Sequence, residues 1–258
     1  FIYSQGIGPI NSPRNRRLTA HVLRRASGIV VRDEASRDLL IAIGVPSGLV
    51  QVTADPVIRV KKADTVLGLE ILAREGCPRD PDKLTVGWAI KSRKASPAFL
   101  AEVERCILWL REEYGADAVL IPFFQSEDIG VCEQAASELD GQAGCLRQKY
   151  LSEEMLSIIG CMDVLVGVRL HSLIYAAVMG VPMLGISYDP KVDSFLSSIG
   201  QPTLCPVEEF TCEKFQAAFR ALLADRETVR EGVAGHLEQL VRSLDRNEEL
   251  IREILEGR

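Results

Sequence analysis

Several signals that would decide a function at once are missing from this chain of 258 residues. No apolar run approaches the roughly 18 residues of a membrane span, and no secretory leader is visible. The seven cysteines, at 77, 106, 132, 145, 161, 205 and 212, form no CxxC pair, and none stands near a histidine at metal-ligand spacing. They are expected to be reduced, mostly buried thiols of a cytosolic protein. The formal net charge is −6, so total charge gives no pull towards nucleic acid, although a local basic pocket remains allowed. Neither a Gly-x-Ser-x-Gly elbow nor a Walker loop occurs, and there is no low-complexity run or solenoid repeat. An initiating Met is also lacking. The chain begins at Phe1 inside FIYSQGIGPI, which reads as a strand entering a glycine loop, so a further N-terminal segment is expected.

What is present describes a globular protein: 47% hydrophobic residues, 26% charged residues, and length for one large domain or two ordinary ones. The most informative stretch runs from Asp163 to Lys191, DVLVGVRLHSLIYAAVMGVPMLGISYDPK. Its opening DVLVGV is short and β-branched, as a buried parallel strand would be. Arg169-Leu170-His171-Ser172 then begins a helical pattern that stops at Gly180 and Pro182. PMLGIS forms a second strand and ends in Tyr188-Asp189-Pro190-Lys191. In an open parallel α/β sheet, ligands bind where strands end. Arg169 and His171 leave the first strand at a helix start, where free N–H groups and the helix dipole favour an anion. Lys191 leaves the second strand towards the same edge. These residues suggest a phosphate or carboxylate ligand with proton transfer at His171. Arg169 could equally support the loop by bonding carbonyls, and Ser172 reads better as a helix-start hydrogen-bonder than as a nucleophile.

Along the chain the same alternation recurs. FIYSQ leads into Gly6, Gly8 and Pro9, a glycine pair that could bring backbone close to a ligand or simply make a turn; the third glycine of a dinucleotide fingerprint is absent. Arg14, Arg16 and Arg17 precede a helix in LTAHVLRRAS, followed by the strand GIVV. Arg32 sits past that strand, and Asp33 is either its ion-pair partner or a helix cap. A helix, ASRDLLIAIG, and a strand, LVQVTADPV, complete a half-Rossmann layout over residues 1–58. Residues 59–82 change character and are expected to link two domains, with Asp80-Pro81-Asp82 as a turn. From residue 83 to 258 the alternation restarts, ending in a charged amphipathic segment of the kind that crosses back to the first domain.

QGIGP at 5–9, VVRDEAS at 30–36, ADP at 54–56 and above all VRLHSLIYAAVMGVPMLGISYDPKV at 168–192 resemble the polysaccharide pyruvyltransferases, in particular the bacterial cell-wall type called CsaB. The resemblance covers nearly the whole chain. It implies an α/β, GT-B-like fold of two Rossmann-type domains whose parallel sheets face an interdomain cleft, with a further segment before QGIGP. It also implies transfer of a pyruvyl group from phosphoenolpyruvate to a sugar, forming a cyclic pyruvate ketal with release of phosphate. In the cell-wall type the acceptor is an N-acetylmannosamine residue of a lipid-diphosphate-linked precursor, bridged at its 4- and 6-hydroxyls, and the product anchors S-layer proteins.

Such an enzyme would work in the cytoplasm, in peripheral contact with the inner membrane face. It would use phosphoenolpyruvate as donor substrate and need no metal or other cofactor. The family's histidine and lysine fall on His171 and Lys191. Its essential arginine falls on Arg14 first, then Arg17, or on Arg32. Two other readings stand beside this one: a nucleotide-sugar glycosyltransferase of the same fold, and a non-catalytic homologue that binds anionic glycans.

Overall fold

Three short parallel strands open the chain: β1 (Ile2–Gln5), β2 (Ile29–Val31) and β3 (Val50–Val52), hydrogen-bonded in that order. Between them lie α1 (Pro13–Leu23) and α2 (Glu34–Ala42). The computed structural model describes residues 1–256. It divides the chain into two units, residues 1–60 with the chain from Gly235 onward, and residues 61–234. In the first unit Ile29, Val31, Leu40, Val45 and Val50 form the core. α1 begins earlier than the apolar pattern suggests, because Ser12 caps Asn15 N–H and Pro13 is pre-set for the first helical position.

The second unit runs α3 (Thr65–Arg74), β4 (Thr85–Ala89), α4 (Pro97–Tyr114), β5 (Asp117–Leu120), α5 (Gln125–Glu138) and β6 (Ala143–Cys145). It continues with α6 (Ser152–Gly160), β7 (Val164–Gly167), α7 (Leu170–Met179), β8 (Met183–Ser187), α8 (Pro190–Ser198), β9 (Thr203–Pro206) and α9 (Cys212–Ala224). All six strands are parallel, in the order β6-β5-β4-β7-β8-β9. β4 and β7 are buried along their whole length, which explains their unbroken apolar runs. The chain winds outward in one direction from β4 and in the other from β7. This makes the β4/β7 boundary a topological switch point, the usual ligand position in such sheets.

Residues 59–82, expected as a linker, instead contribute largely to the second unit. Gly68 on α3 has no Cβ to keep it from the Ser157 carbonyl of α6, and its N–H donates to Ser157 Oγ at 2.6 Å. Arg79 donates to both oxygens of Asp163 at 3.0 and 2.9 Å. Glu75 accepts from the N–H groups of Arg147 and Gln148 and from the Tyr150 hydroxyl. Asp80-Pro81-Asp82 is a turn, with Asp82 N–H donating to Asp80 Oδ1 at 3.0 Å.

The charged C-terminal segment is two helices, α10 (Arg226–Ser243) and α11 (Asp245–Leu255), broken at the fully buried Leu244. α11 belongs to the first unit. Arg59 forms ion pairs with its Asp245 and Glu248, and buried Asn247 donates to Ser4 Oγ at 2.8 Å. Six of the seven cysteines are buried and all are free. Burial pushes the Cys145 and Cys161 thiols up to about 11, so they are held as thiols.

One carboxyl pair between α4 and α5 yields a pH prediction. Burial, followed by hydrogen bonding and charge from Glu138, raises Glu104 to about 7. Glu138 is lowered by its bonds to Glu104 and Gln134. A folded pKa above the unfolded one means stability falls as pH rises from about 4.5 to about 7. Glu104→Gln is expected to be more stable than wild type at pH 8, by less than about 1 kcal/mol after solvent screening, and so to unfold at a higher temperature. That advantage should vanish at pH 4. Thermal melts at the two pH values check it, and an equal difference at both would refute it.

Candidate active site

The C-terminal edge of the second sheet collects the polar residues that leave β4, β7 and β8. Ala89 and Gly167 are register partners, so the chain leaves β4 and β7 side by side. Lys91 and Ser92 follow β4, Arg169 precedes α7, and Tyr188, Asp189 and Lys191 follow β8. His171 is exposed in the first turn of α7. No acidic residue of α7 itself occupies that turn. Ser172 is fully buried and donates to the Arg169 carbonyl at 2.6 Å, which is the helix-start role and leaves it no access to a substrate.

Arg169 is held by carboxylates rather than by carbonyls. Its Nε donates to Asp128 Oδ2 at 2.9 Å, and one terminal nitrogen donates to Asp128 Oδ1 at 2.6 Å and to Glu127 Oε2 at 2.9 Å. Burial acts to lower the Arg169 pKa, but bonds to and charge from Asp128 and Glu127 outweigh it and hold the guanidinium above its usual value. The bond to Arg169 in turn lowers Glu127. Asp128 also accepts from Ser92 N–H at 3.1 Å and Phe124 N–H at 3.0 Å, and none of it is exposed. One buried carboxylate thereby ties together the loops after β4, β5 and β7. Its sequence gave little warning, because an acid in the first turn of α5 is what any exposed helix start prefers.

Lys191 begins α8, where Asp189 caps its N–H at 3.2 Å and lies 3.5 Å from its ammonium. The Tyr188 ring stands 5.4 Å from the Lys191 ammonium and 4.5 Å from that of Lys91. Lys91 and Tyr188 thus join the group of cationic and aromatic residues at this edge. Lys91 could have been found by the rule that selects Lys191, since both follow an apolar strand.

In the first unit, Arg32 follows β2, and its side chain is only 18% exposed. It donates to Asp55 Oδ2 at 2.6 Å, while Asp33, 3.7 Å away, caps α2 through Ser36 N–H. The absent Cβ of Gly6 leaves room for this guanidinium; a methyl group there would approach its Nε to 2.6 Å. Gly8 has φ +113°, a conformation that strongly favours glycine. Arg14 and Arg17 lie exposed on α1, with no ion-pair partner among the described residues. The structure thus gathers Arg169, His171, Ser172 and Lys191 at one sheet edge, and Gly6, Gly8 and Arg32 at the strand ends of the smaller sheet. Among the described residues no group of three or more His, Cys, Asp or Glu could hold a metal ion. No helix among them is long and apolar enough to cross a membrane.

The second unit is a doubly wound parallel α/β sheet with lysines, an arginine and a histidine at the edge beside its switch point. The chain belongs to the polysaccharide pyruvyl transferase family, whose description matches residues 1–190. It is a transferase, and the family moves a pyruvyl group to polysaccharide. No curated protein sequence matches it.

Solved structures of GT-B fold resemble it. HepE from Anabaena, in complex with UDP, is 12% identical with a TM-score of 0.66, over 97% of this chain and 71% of that one. A putative UDP-N-acetylglucosamine 2-epimerase from Listeria monocytogenes is 13% identical with a TM-score of 0.63, over 97% of this chain and 64% of that one. A UDP-forming trehalose-phosphate synthase from Burkholderia vietnamiensis is 15% identical with a TM-score of 0.61, over 96% and 66%. At these identities the likeness concerns the fold alone.

Proposed function

We propose that this chain transfers a pyruvyl unit from phosphoenolpyruvate to two hydroxyls of one sugar, forming a 4,6-linked ketal and releasing phosphate. The acceptor in this reading is a β-N-acetylmannosamine residue of a lipid-diphosphate-linked cell-wall precursor, met at the inner membrane face. One observation carries it: His171 stands exposed at the start of α7, on the sheet edge where Lys191 also leaves its strand. A first sugar hydroxyl adds to C2 of phosphoenolpyruvate while His171 protonates the methylene carbon, turning it into a methyl group. The first hydroxyl's proton restores His171, and a second hydroxyl of the same sugar then displaces phosphate from C2 and closes the ketal, its proton leaving with the phosphate.

The Lys191 ammonium offsets charge on the donor's phosphate and on the departing group. Arg14 and Arg17 keep their charges available for an anionic ligand. Arg169 contributes through the shape of the loop, because its guanidinium is already engaged by Asp128 and Glu127.

Acceptor-dependent phosphate release from phosphoenolpyruvate tests the reading, using a β-N-acetylmannosaminyl lipid-diphosphate mimic. Release matched by a pyruvylated product is the expected result. A folded protein that releases no phosphate with this acceptor, yet transfers sugar from a nucleotide donor, would replace the reading with a glycosyltransferase. The UDP bound by the similar HepE fold favours that second possibility.

A further inference from the structure

Two lysines from different strands converge on one aromatic ring at the C-terminal edge of the second sheet. Lys91 lies two residues beyond β4, and Tyr188 directly follows β8. In the sheet these strands flank β7, so they are two strand spacings apart, about 10 Å. The contact of Lys91 with the Tyr188 ring therefore spans the end of β7, the strand that leads to His171. Lys191 approaches the same ring from the start of α8.

Their ionic surroundings differ. Lys191 has Asp189 at 3.5 Å, whereas Lys91 makes no ion pair among the described residues. Glu127 feels the Lys91 charge, but its direct bond is to Arg169. The backbone at Lys91 is fixed, because the next N–H, that of Ser92, donates to buried Asp128. Lys91 is thus a cation positioned against an aromatic ring, with no carboxylate within ion-pair distance among the described residues.

We propose that Lys91 and Lys191, held on the two approaches to the Tyr188 ring, form a paired-lysine cradle for the phosphate of the donor. The ring orients the two ammoniums, and a dianionic phosphate bridges them as point charges. Its ligand class is a phosphorylated small molecule. Naming phosphoenolpyruvate rests on the function proposed above.

Calorimetric titration of the whole chain with phosphoenolpyruvate and, separately, with UDP tests this on wild type, Lys91→Met, Lys91→Arg and Tyr188→Leu. Methionine keeps the apolar stem and removes only the charge, so circular dichroism should be unchanged. Lys91→Met is expected to weaken phosphoenolpyruvate binding at least about 10-fold, with arginine restoring part of it and Tyr188→Leu giving a smaller loss. In turnover the deficit should fall on KM more than on kcat. Unchanged affinity in Lys91→Met, where wild type binds phosphoenolpyruvate, overturns the cradle and leaves the pyruvyl-transfer reading standing. Wild type that binds UDP but not phosphoenolpyruvate, with Lys91→Met weakening UDP, keeps the cradle and removes that reading. Binding of neither ligand overturns both.

Discussion

A His171→Ala enzyme is expected to lose acceptor-dependent phosphate release by about 10²- to 10⁴-fold while still binding phosphoenolpyruvate with near-native affinity. In the reaction proposed above, protonation of the methylene carbon is the step assigned to His171. Lysine and arginine side chains are poor acids at neutral pH, whereas an imidazole gives and takes a proton there. The substitution should leave folding almost intact, because the side chain is exposed in the first turn of α7 and the helix start is secured by Ser172 and the Arg169 carbonyl. Stopped assays of phosphate release, paired with a titration of phosphoenolpyruvate, separate the two quantities. Near-normal turnover would remove His171 from the chemistry. A parallel loss of binding would make it a ligand contact instead of an acid.

Asp128→Ala is expected to be the most destabilising single change at the site. The carboxylate is fully buried and accepts from Ser92, Phe124 and two nitrogens of Arg169. Removing it strands a guanidinium whose side chain is only 14% exposed and leaves two backbone N–H groups without their acceptor. Breaking a buried pair in this way typically costs roughly 3–5 kcal/mol. For a unit of this size that is a fall in melting temperature on the order of 10 °C. Glu127 retains part of the Arg169 charge, which places the expected value towards the lower end.

Replacing both partners, Asp128→Leu with Arg169→Met, should cost less than the sum of the single changes, because no uncompensated charge remains. Thermal and urea melts of the two single variants and the double variant measure this coupling. Simple additivity would show that Asp128 and Arg169 do not depend on one another. A melting temperature unchanged in Asp128→Ala would show that this carboxylate does not hold the three loops.

The order of strands and helices was legible in the sequence because each depends on local periodicity. Apolar runs of four to six residues became buried parallel strands, and Gly115 and Gly180 ended helices in the left-handed conformation. His171 and Lys191 could be placed at strand ends for the same reason, since each stands within a few residues of the strand that carries it. Ser172 as a helix-start donor was legible too.

Tertiary structure decided the matters that depend on which strand ends become neighbours. Pairing β4 with β5 and with β7 brings Ser92, Asp128 and Arg169 together from positions separated by up to 77 residues in the numbering. Nothing in the periodicity of α5 distinguishes buried Asp128 from an ordinary solvated acid. The same limit explains residues 59–82: mixed charge and prolines suggest a linker, but Gly68, Glu75 and Arg79 have partners between 72 and 89 positions away. Local sequence determines what leaves each strand. Long-range pairing, set by burial of whole faces, determines what those residues meet.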